Sequence, residues 1–184
     1  MKTAIIIHGW DGNPKIGWFV WLETELKKKG YRVIKPIMPN PTHPRITTWV
    51  NKLKSVAKNA GDDTLLIGHS IGCQTIIRYL EKSKTRVEKV IFVAPWLTLL
   101  AAAIDETESY KIAKPWLETN IDFSKVKSKM RSSLAILSDD DPFVSIKNAA
   151  EFKKKLESRI IIEKNKGHYE ECKTKKIPIL MKEI

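Results

Sequence analysis

The chain has 184 residues, of which 42% are hydrophobic and 29% are charged. These values are typical of a globular protein, so we expect one domain over residues 1–184 and exclude a disordered chain. The most apolar long stretch, residues 90–104, is interrupted by proline and tryptophan and is too short to span a membrane. The apolar run near the start is too short for a signal peptide, and the two cysteines show no metal-ligand spacing. We therefore expect a cytoplasmic protein without a metal or other cofactor.

The formal net charge of +12 comes mainly from lysines. A nucleic-acid-binding surface would have the same sign, but arginine is scarce and no basic segment is interleaved with stacking aromatic residues. Several lysine runs fall on the polar sides of predicted helices. We interpret the excess as solvated helix faces and expect neither nucleic acid nor a membrane as a partner.

Hydrophobic periodicity predicts six short strands that alternate with helices. Such alternation predicts a three-layer α/β sandwich, in which a mostly parallel six-stranded sheet lies between two layers of helices. The predicted strands cover residues 3–8, 31–36, 64–67, 87–93, 133–137 and 159–162. Apolar stripes at helical spacing cover residues 18–26, 49–60, 73–80 and 146–156, and a short closing helix is predicted over 177–181.

Residues 97–129 are too long for a plain connection between a strand and a helix. They contain an alanine-rich piece, an acidic patch and the pair Pro115-Trp116. The acidic patch consists of Asp105, Glu106 and Glu108. We expect one or two helices here and a wall over a site, while the question of a lid stays open.

A short motif joins the third predicted strand to the helix that follows it. Residues 68–72 have the sequence Gly-His-Ser-Ile-Gly. This pattern is typical of a nucleophile elbow, a sharp strand-to-helix turn that exposes a serine hydroxyl. Gly68 and Gly72 lack Cβ atoms, which lets the strand and the helix approach closely. The pattern predicts Ser70 as a nucleophile.

A serine nucleophile needs a base that removes its proton and a third group that orients the base. Two later loops offer such groups at the edge of the sheet where parallel strands end. Asp139, Asp140 and Asp141 follow the fifth predicted strand, and His168 follows the sixth. Any of the three aspartates could supply the carboxylate, and those that do not are expected as N-terminal charges of the next helix.

These motifs resemble those of the α/β-hydrolase superfamily, and in particular the small lidless serine hydrolases typified by retinoblastoma-binding protein nine and its bacterial relatives. The resemblance covers nearly the whole chain. It implies a compact α/β-hydrolase fold without a large cap and a carboxylesterase-like or peptidase-like activity. The matching motifs are Met38-Pro39-Asn40-Pro41, residues 68–72, Pro115-Trp116 followed by Asp122-Phe123, Asp140-Asp141-Pro142-Phe143, and Gly167-His168.

The resemblance also implies a role for each site residue. Ser70 is the nucleophile, and His168 is the general base and then the general acid. Asp141 is the orienting carboxylate, because the family's acid directly precedes a Pro-x-Val element. Asp140 is the second choice and Asp139 the third. The implied oxyanion donors are the backbone N–H groups of Trp10 and Ile71. The chain departs from the family at Ser145, where a second proline often stands.

Other residues near these motifs have structural interpretations. We expect His8 to form hydrogen bonds within the first loop, His69 to pack beside the nucleophile, and His43 to be a loop histidine. Trp10, Trp18 and Trp21 could line an acyl pocket, but of these three only Trp10 is expected close to the site. Cys73 is expected in the core.

The leading hypothesis is hydrolysis of a carboxylic ester, amide or thioester through an acyl-enzyme on Ser70, with a small molecule or a peptide as the acyl substrate. The alternative is a catalytically silent protein-binding module on a hydrolase scaffold, which would not need all three triad groups. A third hypothesis is association with nucleic acid through the excess lysines. The sequence predicts neither the natural substrate nor the oligomeric state.

Overall fold

The computed structural model describes residues 1–104 and 108–184. Six strands form one sheet in the order β2-β1-β3-β4-β5-β6, and each pair of neighbouring strands is parallel. The strands are β1 (Thr3–Ile7), β2 (Arg32–Ile34), β3 (Thr64–His69), β4 (Val87–Val93), β5 (Met130–Ser138) and β6 (Arg159–Glu163). The helices are α1 (Trp18–Lys28), α2 (Ile46–Val56), α3 (Ile71–Lys82), α4 (Glu108–Glu118), α5 (Phe123–Ser128), α6 (Asn148–Leu156) and α7 (Pro178–Glu183), with a 3₁₀ helix at Ala101–Ala103.

Helices cover both faces of this sheet. Successive side chains of a strand point to opposite faces, so each strand contributes to two hydrophobic clusters. Ile5 and Ile7 of β1 join the cluster that contains residues of α2, α3, α5 and α6. Ala4 and Ile6 of the same strand join the cluster that contains residues of α1 and α7. The predicted three-layer sandwich is confirmed, and the sheet is parallel throughout.

The strand order brings two loops together at one edge of the sheet. β1 lies between β2 and β3, so the connections that leave β1 and β3 run to opposite sides of the sheet. Such a reversal of direction opens a crevice at the carboxyl ends of the strands. Ile7, the last residue of β1, pairs with Gly68, one residue before the end of β3, so the two strands end at nearly the same level. The loop after β1 and the turn after β3 are therefore neighbours.

Most predicted elements are present, but several boundaries were wrong. β5 begins at Met130 rather than at residue 133. α2 ends at Val56, because Ala57 leaves the helical conformation, with φ −98° and ψ 24°. Ile146 precedes α6 and is 42% exposed, whereas Asn148 is fully buried. Asn148 can be buried because its side-chain oxygen accepts a hydrogen bond from the backbone N–H of Leu97 at 2.7 Å.

The segment 97–129 contains α4, α5 and the 3₁₀ helix. Two long hydrogen-bonding side chains fix α4 to the rest of the fold. The buried Arg78 guanidinium donates to the carbonyl of Trp116 at 2.7 Å, and Trp116 Nε1 donates to the carbonyl of Pro44 at 3.0 Å. In the predicted acidic patch, Glu108 is the first residue of α4, while Asp105 and Glu106 lie outside the described residues. Among the described helices, none combines the length and apolar character needed to cross a bilayer.

Candidate active site

Ser70 occupies a strained turn between β3 and α3. Its φ is 52° and its ψ is −121°, a conformation that residues with a side chain rarely adopt. The backbone on both sides holds it there. The amide of Ser70 donates to the carbonyl of Val93 at 2.9 Å, and the carbonyl of Ser70 accepts the amide of Cys73 at 2.9 Å. The sharp turn predicted from the motif is present.

The two glycines of the motif are required by close backbone contacts. A Cβ atom on Gly68 would lie 2.8 Å from the amide nitrogen of Cys73. A Cβ atom on Gly72 would lie 2.5 Å from the carbonyl oxygen of Ile7 in β1. Atoms at such distances overlap, so any larger residue would push α3 away from the sheet. The helix that starts after Ser70 can pack so closely only because these positions have no side chain.

Three side chains form a hydrogen-bonded chain at this edge of the sheet. Ser70 Oγ lies 2.9 Å from His168 Nε2, and His168 Nδ1 lies 2.8 Å from Asp141 Oδ2. Asp141 can only accept when it is ionised, so Nδ1 donates to it and Nε2 is left as the acceptor that faces the serine hydroxyl. Such an array can transfer a proton from the hydroxyl to the imidazole.

The carboxylate of Asp141 is itself held by the backbone. Its Oδ1 atom accepts the amides of Phe143 and Val144 at 2.9 and 3.0 Å. The residue is only 8% exposed. Its two oxygens therefore have separate tasks, because one is fixed by amides of its own loop while the other faces His168.

The other two aspartates hold the loop that carries His168. Asp140 Oδ1 accepts the Ser138 hydroxyl at 2.6 Å and the Gly167 amide at 2.8 Å. Both hydrogen bonds stabilise the charged carboxylate and so lower the pKa of Asp140 below its usual range. The bond from the Ser138 hydroxyl has the larger effect. Asp139 Oδ1 accepts the amide of Asn165 at 2.9 Å. The expectation that they serve as N-terminal charges of the next helix is wrong, since α6 begins only at Asn148.

The two residues whose amides are predicted as oxyanion donors line the same cavity as Ser70. Ile71 is the first residue of α3, and Trp10 lies in the loop after β1. Within residues 1–104 and 108–184, neither amide has a backbone acceptor in a turn, loop or cap. The Trp10 loop is fixed by two outer bonds, from the amide of Asp11 to the carbonyl of Pro41 at 2.8 Å and from Trp10 Nε1 to the carbonyl of Thr42 at 2.9 Å.

A cavity of about 460 Å³ opens next to Ser70. Its walls are mainly apolar, and part of them comes from segment 97–129, which confirms the predicted wall. Three carboxylates also line the cavity, and its described lining includes neither lysine nor arginine, although the whole chain is strongly basic. The lining includes Trp10, Ile16, Ile71, Trp96, Leu99, Ala103, Ser109 and Phe143 as well as the acidic residues Asp11, Glu170 and Glu171.

Comparison with known proteins assigns the chain to a family. Residues 4–174 match the family described as "Serine hydrolase". The chain belongs to the serine hydrolase family. As the match covers most of the chain, the predicted family is confirmed, and the protein is an enzyme of the serine hydrolase type.

Individual relatives agree with this assignment. This serine hydrolase is similar to YdeN of Bacillus subtilis (strain 168), with 24% identity over 168 residues that cover 91% of this chain and 86% of YdeN. It is also similar to serine hydrolase RBBP9 of Rattus norvegicus, with 25% identity over 170 residues that cover 91% of this chain and 87% of RBBP9.

Solved structures show the same fold. The structure of the ydeN gene product from B. subtilis has a TM-score of 0.89 and 24% identity, and the match covers 99% of this chain and 96% of that one. Est1E from Butyrivibrio proteoclasticus, solved with ferulic acid bound, has a TM-score of 0.73 and 14% identity, covering 92% of this chain and 82% of that one. The predicted α/β-hydrolase fold is thereby confirmed.

Two histidines of this serine hydrolase behave as expected. His8 Nδ1 donates to the carbonyl of Gly9 at 2.7 Å, and its Nε2 accepts the amide of Met38 at 3.0 Å. Burial lowers the pKa of His8, so its ring stays neutral. His43 is exposed and bonded to the Thr42 hydroxyl, and it does not belong to the described lining of the cavity.

The larger side chains near the motif also have structural roles. Trp18 is fully buried and donates from Nε1 to the carbonyl of Tyr169 at 2.9 Å. Cys73 is buried in the core, and burial raises the pKa of its thiol. Two residues of the cavity wall were not predicted from the sequence. Glu171 lines the cavity at 9% exposure and accepts the amide of Asn13 at 2.6 Å. The other is Cys172, whose thiol is exposed.

Proposed function

We propose that this serine hydrolase cleaves carboxylic esters, and by the same route amides or thioesters, through an acyl-enzyme on Ser70. His168 Nε2 takes the hydroxyl proton as Ser70 Oγ attacks the acyl carbonyl. His168 then gives that proton to the leaving group. In the second half, His168 activates water, which releases the acid and restores Ser70.

Two supporting roles complete the proposed mechanism. Asp141 keeps His168 in the tautomer whose Nε2 faces the nucleophile, and it stabilises the imidazolium that forms. The amides of Trp10 and Ile71 would bind the oxyanion of the tetrahedral intermediate. Backbone donors suit this task because they are already oriented before charge develops. This route needs neither a metal nor another cofactor.

One observation carries the proposal. The base is oriented from both sides, with Ser70 Oγ at 2.9 Å from Nε2 and Asp141 Oδ2 at 2.8 Å from Nδ1. A serine in a tight turn is common, and so is a loop histidine beside an aspartate. The strained turn, the oriented imidazole and the buried carboxylate are together what nucleophilic catalysis requires and what a purely structural turn would not need.

The cavity indicates the class of substrate. A volume of about 460 Å³ with mainly aromatic and aliphatic walls suits the acyl part of a small molecule or of a peptide. Asp11, Glu170 and Glu171 would repel a carboxylate on the substrate. We therefore propose that neutral or positively charged acyl substrates are preferred over anionic ones.

The test is a panel of p-nitrophenyl esters and aminoacyl amides, assayed with the wild-type protein and with Ser70→Ala. We expect Ser70→Ala to lower kcat by a factor on the order of 10⁴. Ser55→Ala, on the exposed side of α2, is the matched control and should keep wild-type activity. Full activity in Ser70→Ala would refute the proposal. Absence of turnover, together with a protein partner that still binds Ser70→Ala, would favour the binding module instead.

We also propose that the lysine excess serves no nucleic acid or membrane partner. Several lysines form ion pairs along the exposed faces of their own helices, which supports this proposal. Lys27 lies 2.7 Å from Glu23, and Lys155 lies 3.1 Å from Glu151. Retention on duplex or single-stranded DNA at low salt, weakening steeply as salt is added, would contradict it.

A cytoplasmic location is the remaining proposal. Neither cysteine forms a disulfide, and Cys172 is an exposed free thiol. A reducing compartment preserves such a thiol. Fractionation of cells, with immunoblotting of each fraction, would test the location.

A further inference from the structure

His69 connects the nucleophile turn to the loop that carries His168. It is the last residue of β3, directly before Ser70, and only 3% of it is exposed. Its Nε2 atom lies 2.7 Å from the backbone carbonyl oxygen of His168. Because a carbonyl oxygen can only accept a hydrogen bond, Nε2 carries the proton and donates it.

The rest of the imidazole is enclosed by two other parts of the fold, the loop after β1 and helix α1. Its Nδ1 atom is buried and has no hydrogen-bond partner among the described residues. A Cβ atom built on Gly9 would lie 2.8 Å from Nδ1, so the loop after β1 packs directly on the ring. The rings of Trp18 and Phe19 in α1 lie 5.8 and 6.2 Å from the centre of the imidazole. The ring therefore has little freedom to turn.

We propose that His69 is a positioning residue, which holds both the His168 loop and the Trp10 loop at their distances from Ser70. The inference rests on the proposed function, since it assigns to His69 the placement of the base and of one oxyanion donor. The Nε2 hydrogen bond fixes the first of these loops by its backbone. The close contact with Gly9 fixes the second.

The charge state of His69 suits this role. Burial, with a smaller effect from nearby His168, lowers the pKa of His69 to about 3. The other titratable group that acts on it is His8, while α1 presents the uncharged rings of Trp18 and Phe19. The rings of His69 and His168 are 5.1 Å apart. A neutral His69 leaves the imidazolium that forms on His168 without a positive neighbour.

The first test compares three variants. His69→Leu removes the donor, His69→Gln keeps an N–H donor on a side chain of similar reach, and Phe19→Leu loosens the same packing without touching the hydrogen bond. Since a small misplacement of catalytic groups costs up to about 10²-fold in rate, we expect His69→Leu to lower kcat about 10- to 100-fold with KM changed less than about threefold. His69→Gln should recover most of this loss, and Phe19→Leu should stay within about threefold of wild type.

The second test does not depend on turnover. Nitrogen NMR of the imidazoles should show His69 as the neutral tautomer protonated at Nε2 across pH 5–8, in the wild type and equally in Ser70→Ala. If His69→Leu fails to fold, this NMR measurement still tests the proposed charge state and hydrogen bond of His69.

Three results would overturn the inference. They are a folded His69→Leu with wild-type kcat, a His69→Gln as impaired as His69→Leu, and a His69 ring that titrates within pH 5–8. Failure of the proposed function is distinguishable, because it would appear as full activity in Ser70→Ala, whatever the His69 variants do.

Discussion

The Asp140 carboxylate accepts a 2.8 Å hydrogen bond from the backbone amide of Gly167, the residue directly before His168. The next carboxylate along the chain, that of Asp141, lies 2.8 Å from Nδ1 of the His168 ring. Two consecutive aspartates in the loop after β5 thus hold the His168 loop, the first through its backbone and the second through the His168 side chain. The division of tasks between them can be tested by matched substitutions.

Asp141→Asn should be far more harmful to activity than Asp140→Asn. An asparagine at 141 removes the charge that orients the imidazole and favours the wrong tautomer, so kcat should fall by about 10³- to 10⁴-fold. An asparagine at 140 can still accept the Gly167 amide through its side-chain oxygen, and we expect a loss of less than about tenfold. Steady-state kinetics on one ester measure both. An equal loss in the two variants would contradict the assignment of Asp141.

Gly72→Ala should destabilise the fold, whereas Gly61→Ala should not. The added methyl group at position 72 would lie 2.5 Å from the carbonyl oxygen of Ile7, which is held in the sheet by its pairing with β3. We expect a loss of about 1–3 kcal/mol in the free energy of unfolding, as for other overpacked sites. A methyl group on Gly61 meets open space. Urea denaturation of the two variants measures the difference, and similar midpoints would show that the close contact is unimportant.

The protein should lose stability in mild acid because of buried neutral histidines. Burial lowers the pKa of His69 from 6.5 to about 3 and also lowers that of His8. Between pH 6.5 and about pH 3, His69 binds a proton in the unfolded chain but not in the folded chain. The stability that it contributes is therefore complete above pH 6.5 and decreases as the pH falls towards 3. Well below pH 6.5 the slope from His69 alone should approach about 1.4 kcal/mol per pH unit. Urea unfolding at pH 7 and pH 5 measures it. His69→Gln should show a clearly smaller slope, and an unchanged slope would refute the cause.

Leu99→Trp should change the acyl-chain preference. Leu99 is half-buried in the cavity wall, so a larger side chain there occupies space that we assign to the acyl group. We expect kcat/KM for a long-chain p-nitrophenyl ester to fall about tenfold or more relative to that for the acetate. Leu100→Trp is the control, because Leu100 is 38% exposed and lies outside the described lining. If both variants keep the wild-type preference, the acyl group binds elsewhere.

The fold could be predicted from the sequence because its signals are local and repeated. Buried parallel strands give continuous apolar runs, and Val87–Val93 was predicted to the residue. The boundaries of helices and strands were harder to predict where a polar side chain occupies a position in the core. Asn148 occupies the core position that the apolar stripe assigned to Ile146, and its partner Leu97 is 51 residues away. No pattern within a short window reports such a contact.

The candidate site was predictable to a similar extent. The motif around Ser70 and the family resemblance selected Asp141 and His168, and the structure brings the three side chains within hydrogen-bonding distance. Their catalytic roles stay predictions. The positioning by His69 and the loop bonds of Asp140 could not be predicted, because each depends on a distant backbone atom whose place is set only by the complete fold.

The central claim is that Ser70 is a nucleophile activated by His168, and covalent labelling tests it most directly. A fluorophosphonate probe should modify the wild-type protein, and mass spectrometry of the digested protein should locate the adduct on Ser70. Labelling should be absent in Ser70→Ala and strongly slowed in His168→Ala, while Ser55→Ala should react like wild type. A wild-type protein that stays unmodified, or an adduct that forms equally well in Ser70→Ala, would contradict the account.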